Sequence, residues 1–475
     1  MSGRSRGRLA ELLGNTVIFG LGSLAVKVVS LVLMPLYTSA MTASDYGAAE
    51  LLNSGIEIVL PLASLGVIEA LYRFSIDETV GKGELFCNSV LVLGGGILVA
   101  AVLSTLAWRI FDYAHAVPFF FLFASACIYK ATSQFARGLG HVRRFVGYGF
   151  INALVLVIAT YALLVHLRAG VAGYLWSYSI GYVVAGAAAF VCSAEYRFVA
   201  PLRFDGALLR RMLIYSLPLV PNLLSWWIVS VSGRYVVVWG SGLAAAGLYT
   251  AATKMPSLIN IVSSVFQQAW QFSTAREIGA ADSGSFFGRV LRGYSLVTLS
   301  MAGVVIVLNR PISGLLLQSE FQDAWRYVPL LMLAAAFGVM SVFFGTFYQA
   351  LMKSRMLMIS TAIGAAVNLL LGVALVPAMG PWGACVAGVV AYAIVLLVRV
   401  RDIATRIDMP IDRARIAYQL LLLSVMSICM SCEGSMWPVL FAGACLVLLF
   451  VSDVGVLCES FLRVRRAFMG RPGSR

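Results

Sequence analysis

The stretch SLPLVPNLLSWWIVSVSGRYVVVW, residues 216–239, is an apolar run that carries one charged side chain, Arg234. As a helix it is long enough to cross the ~30 Å hydrocarbon core of a bilayer, which takes about 20 residues. A cation at that depth is costly, about 2.5–3.5 kcal/mol on insertion scales, and such cations usually face water or a partner charge. The stretch therefore predicts a membrane helix that lines a polar path.

The whole chain shares this apolar character. Of its 475 residues 60% are hydrophobic and only 12% are charged, a composition typical of a polytopic membrane protein. Apolar windows of spanning length predict about fourteen transmembrane helices and leave too little chain for a separate soluble domain. The predicted spans are 12–37, 46–71, 85–108, 117–137, 145–166, 171–192, 213–238, 246–271, 290–309, 327–351, 356–377, 381–400, 414–432 and 437–459.

The net charge of +14 is distributed unevenly about these spans. Of the 35 Lys and Arg, 27 lie in the two tails and in the connections that follow even-numbered spans. The other connections carry only Arg109, Arg168, Arg310 and Arg326. Because basic loops stay in the cytoplasm, we expect a multi-pass protein of the cytoplasmic membrane with both termini cytoplasmic. The basic charge is then expected to face membrane lipids and not nucleic acid.

The chain repeats its pattern of spans and turns at an offset of about 200 residues. The first two spans match spans seven and eight in length, and Gly47 falls on Gly247. Six spans separate the two starts, so both halves keep the same orientation, as in parallel-repeat transporters. We expect an all-α integral membrane fold with two six-helix lobes, residues 1–200 and 201–400. Residues 401–475 add helices 13 and 14 and a basic cytoplasmic tail.

Several cations lie within the predicted spans or at their inner ends. A row of cations from one face to the other can hand an anion across the bilayer, which makes these residues candidates for substrate binding. The alternatives are snorkelling of Arg137 and Arg234 to the interface and an ion pair between Lys27 and Glu57. The intramembrane cations are Lys27, Lys130, Arg234 and Lys254, and those at the inner mouth are Arg73 and Arg137.

Two carboxylates, Glu50 and Glu57, lie on one face of the second predicted span. A desolvated carboxylate holds its proton more tightly, so both are candidates for coupling transport to H⁺ or Na⁺. The eighth span is the most polar, and its Gln268 is a further candidate for substrate contact. The polar faces of these spans line water or hydrogen-bond one another as glue between helices, and the sequence leaves both alternatives open.

Motifs for catalysis or for a bound cofactor are missing from the sequence. The eight cysteines lie almost entirely within spans, and the three histidines lie in or near different loops. There is no phosphate-binding glycine loop, nucleophile motif or metal-ligand spacing. We therefore expect no catalytic residues, no metal and no cofactor, and we do not expect an enzyme.

Three segments carry a resemblance to a known family. They are VKVVSLVLMPLYTSAMTASDYGAAELL at 26–52, SLGVIEALYRFS at 64–75, and the region 211–278, which includes GLYTAATKMPSLINIVSSVFQQAWQ at 247–271. They resemble Wzx-type bacterial polysaccharide flippases, members of the multidrug/oligosaccharidyl-lipid/polysaccharide exporter superfamily. The resemblance spans roughly residues 10–400.

The resemblance implies a fourteen-helix fold that moves undecaprenyl-pyrophosphate-linked oligosaccharides from the inner to the outer leaflet by alternating access. It also implies that cations of helices 1, 2, 7 and 8 line a central cavity. The family commonly has an Asp before the helix 7 arginine, where this chain has Gly233, so Arg234 lacks that neighbouring partner. The matching cavity positions are Lys27, Arg73, Arg234 and Lys254.

Rival functions are a lipid II flippase or a drug/cation antiporter of the same superfamily, and a membrane-embedded polysaccharide polymerase or ligase. An antiporter for organic cations needs an acidic cavity, whereas these spans hold at least as many cations as acids. A polymerase needs acid/base groups beside a sizeable outer loop. The longest outer connection, 310–326, offers Glu320 and Asp323 without a partner histidine. For a flippase, a polysaccharide polymerase is a candidate partner.

Overall fold

The structure is a computed structural model that describes residues 29, 31–198, 203–278, 283–351, 353–431 and 437–451, and these are overwhelmingly helical. Apolar sequence in lipid favours helices because a helix pairs its own backbone N–H and C=O groups. In the described ranges, ten helices are long and apolar enough to span a membrane, and one bent pair makes an eleventh. This confirms the predicted all-α membrane class. The first predicted span, 12–37, lies mostly outside the described residues.

Two compact units divide the chain. The first comprises Met1–Thr250 and Leu316–Phe321, and the second comprises Ala251–Leu315 and Gln322–Arg475. The division near residue 250 falls within a helix, whereas the lobes 1–200 and 201–400 follow the sequence repeat. That lobe grouping stays a prediction.

The first unit is built around helices α4 to α7, with α2 packed against α4, α5 and α7. A π-helical turn, Tyr161–His166, extends α6, and a 3₁₀ turn, Glu195–Phe198, follows α7. The helices of this unit are α1 Met34–Ala40, α2 Ala43–Ala63, α3 Val67–Ser75, α4 Lys82–Phe111, α5 Ala116–Gly138, α6 Val142–Thr160, α7 Gly170–Cys192, α8 Gly206–Ser216 and α9 Leu219–Ala252, whose last two residues belong to the second unit.

The second unit is built around α13, which packs against α10, α11, α15 and α16. Rings from three helices fill its centre, with Trp270 of α10 stacked on Phe343 of α13 at 4.7 Å between centroids. Its elements are α10 Ser257–Glu277, α11 Ser283–Val307, α12 Asn309–Leu316, the 3₁₀ turn Ser319–Arg326, α13 Val328–Ala350, α14 Ser354–Met379, α15 Pro381–Ala404, α16 Arg413–Ser431 and α17 Trp437–Val451.

The second predicted span, 46–71, is not one straight helix. It is broken into α2 and α3, which meet at an angle of 68°. The break holds two residues in the left-handed region, Leu65 (φ 51°) and Gly66 (φ 69°). A Cβ at Gly66 would lie 2.9 Å from the carbonyl oxygen of Ser216, so the bend both needs the conformational freedom of glycine and admits no side chain.

Proline interrupts the spans predicted at 213–238 and 246–271, which the sequence analysis treated as continuous. Pro218 separates α8 from α9, and Pro256 lies in the turn between α9 and α10. A proline lacks the N–H that continues a helix, and its ring clashes with the preceding turn. A further break inside α9 lies at Gly242 (φ 84°). Lys254, predicted within a helix, therefore lies in a turn.

Helices α2 and α9 approach each other most closely at the two glycines that the repeat aligned. A Cβ at Gly47 would overlap the carbonyl oxygen of Leu243, and a Cβ at Gly247 would overlap that of Ala43. Glycine at both positions is what lets the two backbones touch, as small residues do elsewhere in membrane helix packing. This contact sets the register between the two helices that carry the candidate site.

Candidate functional site

A buried ion pair joins α2 to α9 within the first unit. The Arg234 Nη1 atom lies 3.3 Å from Glu50 Oε2, and the Glu50 residue is only 2% exposed. Two tyrosine hydroxyls, those of Tyr46 and Tyr174, donate to Glu50 Oε1 at 3.1 and 3.0 Å. Each hydrogen bond to a charged group contributes about 1.5–3 kcal/mol. Both carboxylate oxygens are thus held, and the buried charge is compensated.

This pair corrects one expectation from the sequence. Gly233 deprives Arg234 of the acidic neighbour common in the resembling family, yet the guanidinium has an acidic partner. That partner, Glu50, is supplied by α2, far away in the chain. A single sequence does not reveal such a pair because the two residues meet only through the packing of α2 on α9.

Further hydrogen bonds fasten the same two helices beside the ion pair and one to two turns away from it. The Trp227 Nε1–H group donates to the backbone oxygen of Ser54 at 3.0 Å. The Tyr235 hydroxyl donates to the backbone oxygen of Leu51 at 2.8 Å. The rings of Trp227 and Tyr235 lie 5.0 Å apart. These aromatic donors fix the face that Arg234 presents to α2.

A column of tyrosines descends from the ion pair along α7. Tyr174, Tyr178 and Tyr182 recur every four residues and so lie on one helical face. Adjacent rings in the column lie 5.0 and 6.3 Å apart, and Tyr182 stacks on Tyr129 of α5 at 5.4 Å. This tyrosine column was not predicted from the sequence, although the four-residue spacing of the tyrosines indicates that they share one helical face.

Glu57 lies two turns after Glu50 on α2, at the other end of this column. The Glu57 side chain is exposed, and its carboxylate is close enough to the hydroxyls of Tyr182 and Tyr235 to interact with them electrostatically. Its predicted alternative partner, Lys27, lies outside the described residues. Coupling to an ion through Glu57 or Glu50 therefore stays a prediction.

The cations of α5 lie in the C-terminal half of that helix. Lys130 is half-buried, next to Tyr129. Arg137 is also half-buried, with its guanidinium carbon 4.4 Å from the centroid of the Tyr72 ring. Its Nη1–H group donates to Gln134 Oε1 at 3.5 Å. Arg73, on α3, is exposed.

The remaining predicted site residues belong to the second unit or lie outside the described part of the structure. Lys254 is half-buried in the turn between α9 and α10, where its backbone oxygen accepts a hydrogen bond from the Ser257 hydroxyl. The side chain of Gln268, like Lys27, lies outside the described part of the structure. Of the predicted site residues, Glu50 and Arg234 are the two that a described hydrogen bond or ion pair joins to each other. The assignment of the others to one cavity stays a prediction.

Two buried charges escaped the sequence analysis. Arg399 of α15, 5% exposed, donates to Ser360 Oγ at 3.0 Å, Thr361 Oγ1 at 2.9 Å and the backbone oxygen of Ser341 at 2.8 Å, which binds α15 to α13 and α14. Glu195, in the turn after α7, is fully buried, and neither carboxylate oxygen has a hydrogen-bond partner among the residues that the structure describes. This burial raises the pKa of Glu195 to about 8. Charge count alone gives no sign of burial at a span end.

Metal binding finds no support in the described residues, where no group of three or more His, Cys, Asp or Glu could hold an ion. The described side chains form a polar, aromatic and cationic surface between membrane helices.

Comparison with known proteins identifies the family of the chain. A profile described as polysaccharide biosynthesis protein matches residues 12–271, more than half of the chain. The chain belongs to the polysaccharide biosynthesis protein family. The matched region of this family member contains Glu50, Arg234 and the tyrosine column. No curated protein sequence matches the chain.

Solved transporter structures share the fold of this family member. A lipid II flippase, MurJ, in an inward closed conformation is 13% identical with a TM-score of 0.66, covering 94% of this chain and 100% of its own. An inward-facing MATE family transporter of the MOP superfamily is 14% identical with a TM-score of 0.60, covering 82% and 95%. A MOP superfamily transporter from Pyrococcus furiosus is 15% identical with a TM-score of 0.53, covering 82% and 96%. At these identities the likeness establishes the fold alone, that of a multi-pass membrane transporter or flippase.

Proposed function

We propose that this protein moves undecaprenyl-pyrophosphate-linked oligosaccharides from the inner to the outer leaflet of the cytoplasmic membrane by alternating access. The observation that carries the proposal is the guanidinium of Arg234, held by a buried carboxylate inside a membrane helix of the family-matched region. A bidentate guanidinium is suited to phosphate oxygens. Family membership supplies the link to polysaccharide assembly.

The ion pair suggests how a pyrophosphate is taken up and released. A pyrophosphate that binds Arg234 must displace Glu50, and a displaced carboxylate in low dielectric takes up a proton or meets another cation. When Glu50 ionises again it competes for Arg234 and expels the phosphate. Glu50 thus acts as the exchange partner of the substrate, with H⁺ or Na⁺ as candidate coupling ions.

Lys130 and Arg137 supply the inner end of the proposed path. Both are half-buried on α5, and they lie two turns apart, about 10 Å along the helix. Arg73, Lys254, Lys27 and Gln268 complete the proposed substrate-binding set. The membrane potential helps such an anion outward, by up to about 2.3 kcal/mol per charge per 100 mV.

The experiment is rescue of surface polysaccharide in a strain that lacks the gene. The wild-type gene is expected to restore the polymer. Arg234→Met is expected to fail at equal membrane abundance, because a thioether cannot bind phosphate. Arg109→Gln, at an exposed position in the last turn of α4, is the matched control. Loss of the gene with no change in surface polysaccharide would refute the proposal.

Lipid II transport is the second candidate, favoured by the shared fold with the lipid II flippase MurJ. Both substrates carry an undecaprenyl pyrophosphate, so the proposed binding of phosphate by Arg234 is possible with either of them. Growth of a strain depleted of its own lipid II flippase, with this gene as the only replacement, separates them. We expect no growth. The antiporter and the polymerase or ligase remain weaker alternatives, since neither requires a buried anion-binding cation.

A further inference from the structure

A six-residue segment, Leu316–Phe321, begins at the last residue of α12, runs into the 3₁₀ turn Ser319–Arg326 and occupies an unusual place in the fold. It groups with the first unit, although the chain on both sides of it belongs to the second unit. We call this segment the strap. Its contacts lie at the N-terminal end of α2, which the charge pattern predicts to face the outer side of the membrane.

Backbone and side-chain hydrogen bonds dock the strap against α1 and α2. The Glu320 carboxylate accepts from the backbone N–H of Ala43, the first residue of α2, at 3.0 Å. An anion is favoured there because the amides at a helix N-terminus point at it. The Thr38 hydroxyl accepts from the Gln318 N–H at 3.1 Å. Its single proton is shared between the Met34 oxygen at 3.0 Å and the Leu316 oxygen at 3.2 Å. The strap is thus bonded through Glu320 and Gln318, with Leu316 beside the same hydroxyl.

Apolar packing completes the docking. Leu317 and Phe321 are fully buried. The Phe321 ring meets Tyr46 edge to face, with centroids 5.5 Å apart and an interplanar angle of 83°. Burial of a Leu and a Phe contributes about 1.5–3 kcal/mol each. The strap is therefore held by a combination of apolar burial and helix-end hydrogen bonds.

The strap reaches the candidate site through one side chain. Tyr46, which packs on Phe321, also donates its hydroxyl to Glu50, the partner of Arg234. In the middle of the strap, Ser319 has a φ of 51°. A non-glycine residue in this region costs about 1–2 kcal/mol, so the docked form opposes a local preference of the backbone.

We propose that the strap is a latch that positions Tyr46 and thereby keeps the Glu50–Arg234 pair closed. This inference rests on the proposed transport function. While the strap is docked, Phe321 holds Tyr46 on Glu50 and the carboxylate stays on Arg234. When it undocks, Tyr46 leaves Glu50, and Glu50 leaves Arg234 to the phosphate. Release of the strap is thus part of every transport cycle.

A reversible cross-link tests the latch. Thr38→Cys/Gln318→Cys replaces two residues that the hydrogen bond from the Gln318 backbone N–H to the Thr38 hydroxyl joins, and oxidation in membranes is expected to form a disulfide between them. We expect the oxidised protein to lose at least 90% of its transport of an undecaprenyl-pyrophosphate glycan and the reductant-treated protein to regain it. Oxidised wild-type protein and the two single-cysteine variants are the controls for the native cysteines.

Each outcome decides a different claim. Full transport by a quantitatively cross-linked protein would overturn the latch, and so would failure of the pair to cross-link, because the strap would then not be docked. Absence of transport in the reduced and wild-type proteins would instead count against the proposed function.

The role of Phe321 in positioning Tyr46 is tested by a second measurement. Phe321→Ala, compared with the exposed Leu315→Ala, is expected to speed amide exchange at Ala43–Tyr46 and to lower the pH sensitivity of phosphate binding, whereas Phe321→Tyr restores both.

Discussion

Arg399 shows at the residue scale how a buried cation is held by hydrogen bonds alone among the described residues. Its hydrogen bonds run to two hydroxyls and one carbonyl on neighbouring helices. Arg399→Ala removes these three hydrogen bonds from a charged donor. We expect a loss of about 1.5–3 kcal/mol for each bond, measured as a lower midpoint of thermal unfolding in detergent. The exposed Arg401→Ala is the control, and equal midpoints for the two variants would contradict this role.

Glu195 makes stability depend on pH. Burial raises its pKa from about 4.5 to about 8 in the folded protein, so the folded state binds a proton that the unfolded state has released. Stability contributed by this group is therefore full below pH 4.5 and is lost as the pH rises toward about 8. We expect Glu195→Gln to flatten the fall in unfolding free energy between pH 5 and 8.5. A variant that keeps the wild-type slope would show that other groups cause it.

Residue identity predicted part of the site. Hydropathy and charge picked out Arg234 and Glu50 as functional candidates because an ionisable group inside an apolar span has a cost that sequence alone reveals. Their pairing and the tyrosine donors around Glu50 were not predicted. Each depends on the rotation of α2, α7 and α9 about their axes, which a single sequence leaves undetermined.

Helix α2 owes its position to a backbone contact with α9. Because Cβ atoms at Gly47 or Gly247 would overlap backbone oxygens, Gly47→Ala and Gly247→Ala are each expected to push the helices apart and weaken the Glu50–Arg234 pair. The measurement is surface-polysaccharide rescue at matched protein abundance, with a drop of at least fivefold expected. Gly95→Ala, on α4 with open space around it, is the control and is expected to rescue fully. Full rescue by both interface variants would contradict the close-contact account.

The length and order of the elements followed from the sequence more closely than their continuity did. Most predicted spans coincide with one helix, since spanning length and apolar composition define both. The exceptions occur at Gly66, Pro218 and Pro256, where the chain bends within a predicted span. The prolines were visible in the sequence, but whether a proline kinks a membrane helix or ends it depends on the neighbours that satisfy the freed carbonyls.

At the scale of the whole molecule, the shared fold agrees with the charge pattern on a multi-pass membrane protein, and the family profile links it to polysaccharide biosynthesis. An outward carrier of a pyrophosphate should respond to membrane potential. In liposomes with a uniformly oriented protein, an interior-negative potential of 100 mV is expected to speed outward flipping severalfold, up to the limit of about 2.3 kcal/mol per charge. Rates that do not change with the imposed potential would remove voltage as a driving force.

The lobe grouping by repeat and the sugar carried lie beyond what one sequence specifies. The repeat rests on span lengths, and glycan recognition rests on contacts that differ among related transporters. The sequence proposes Arg234 as an anion-binding group, and the structure pairs it with Glu50.

The most direct test of that chemistry is the affinity of purified protein for undecaprenyl pyrophosphate, compared among wild type, Arg234→Met and Glu50→Gln. Exchange of Glu50 for phosphate on one guanidinium predicts opposite effects: binding at least tenfold weaker in Arg234→Met, a change of about 1.4 kcal/mol, and tighter in Glu50→Gln. Equal weakening in both variants would mean that the pair only stabilises the fold, and unchanged binding in Arg234→Met would contradict the account.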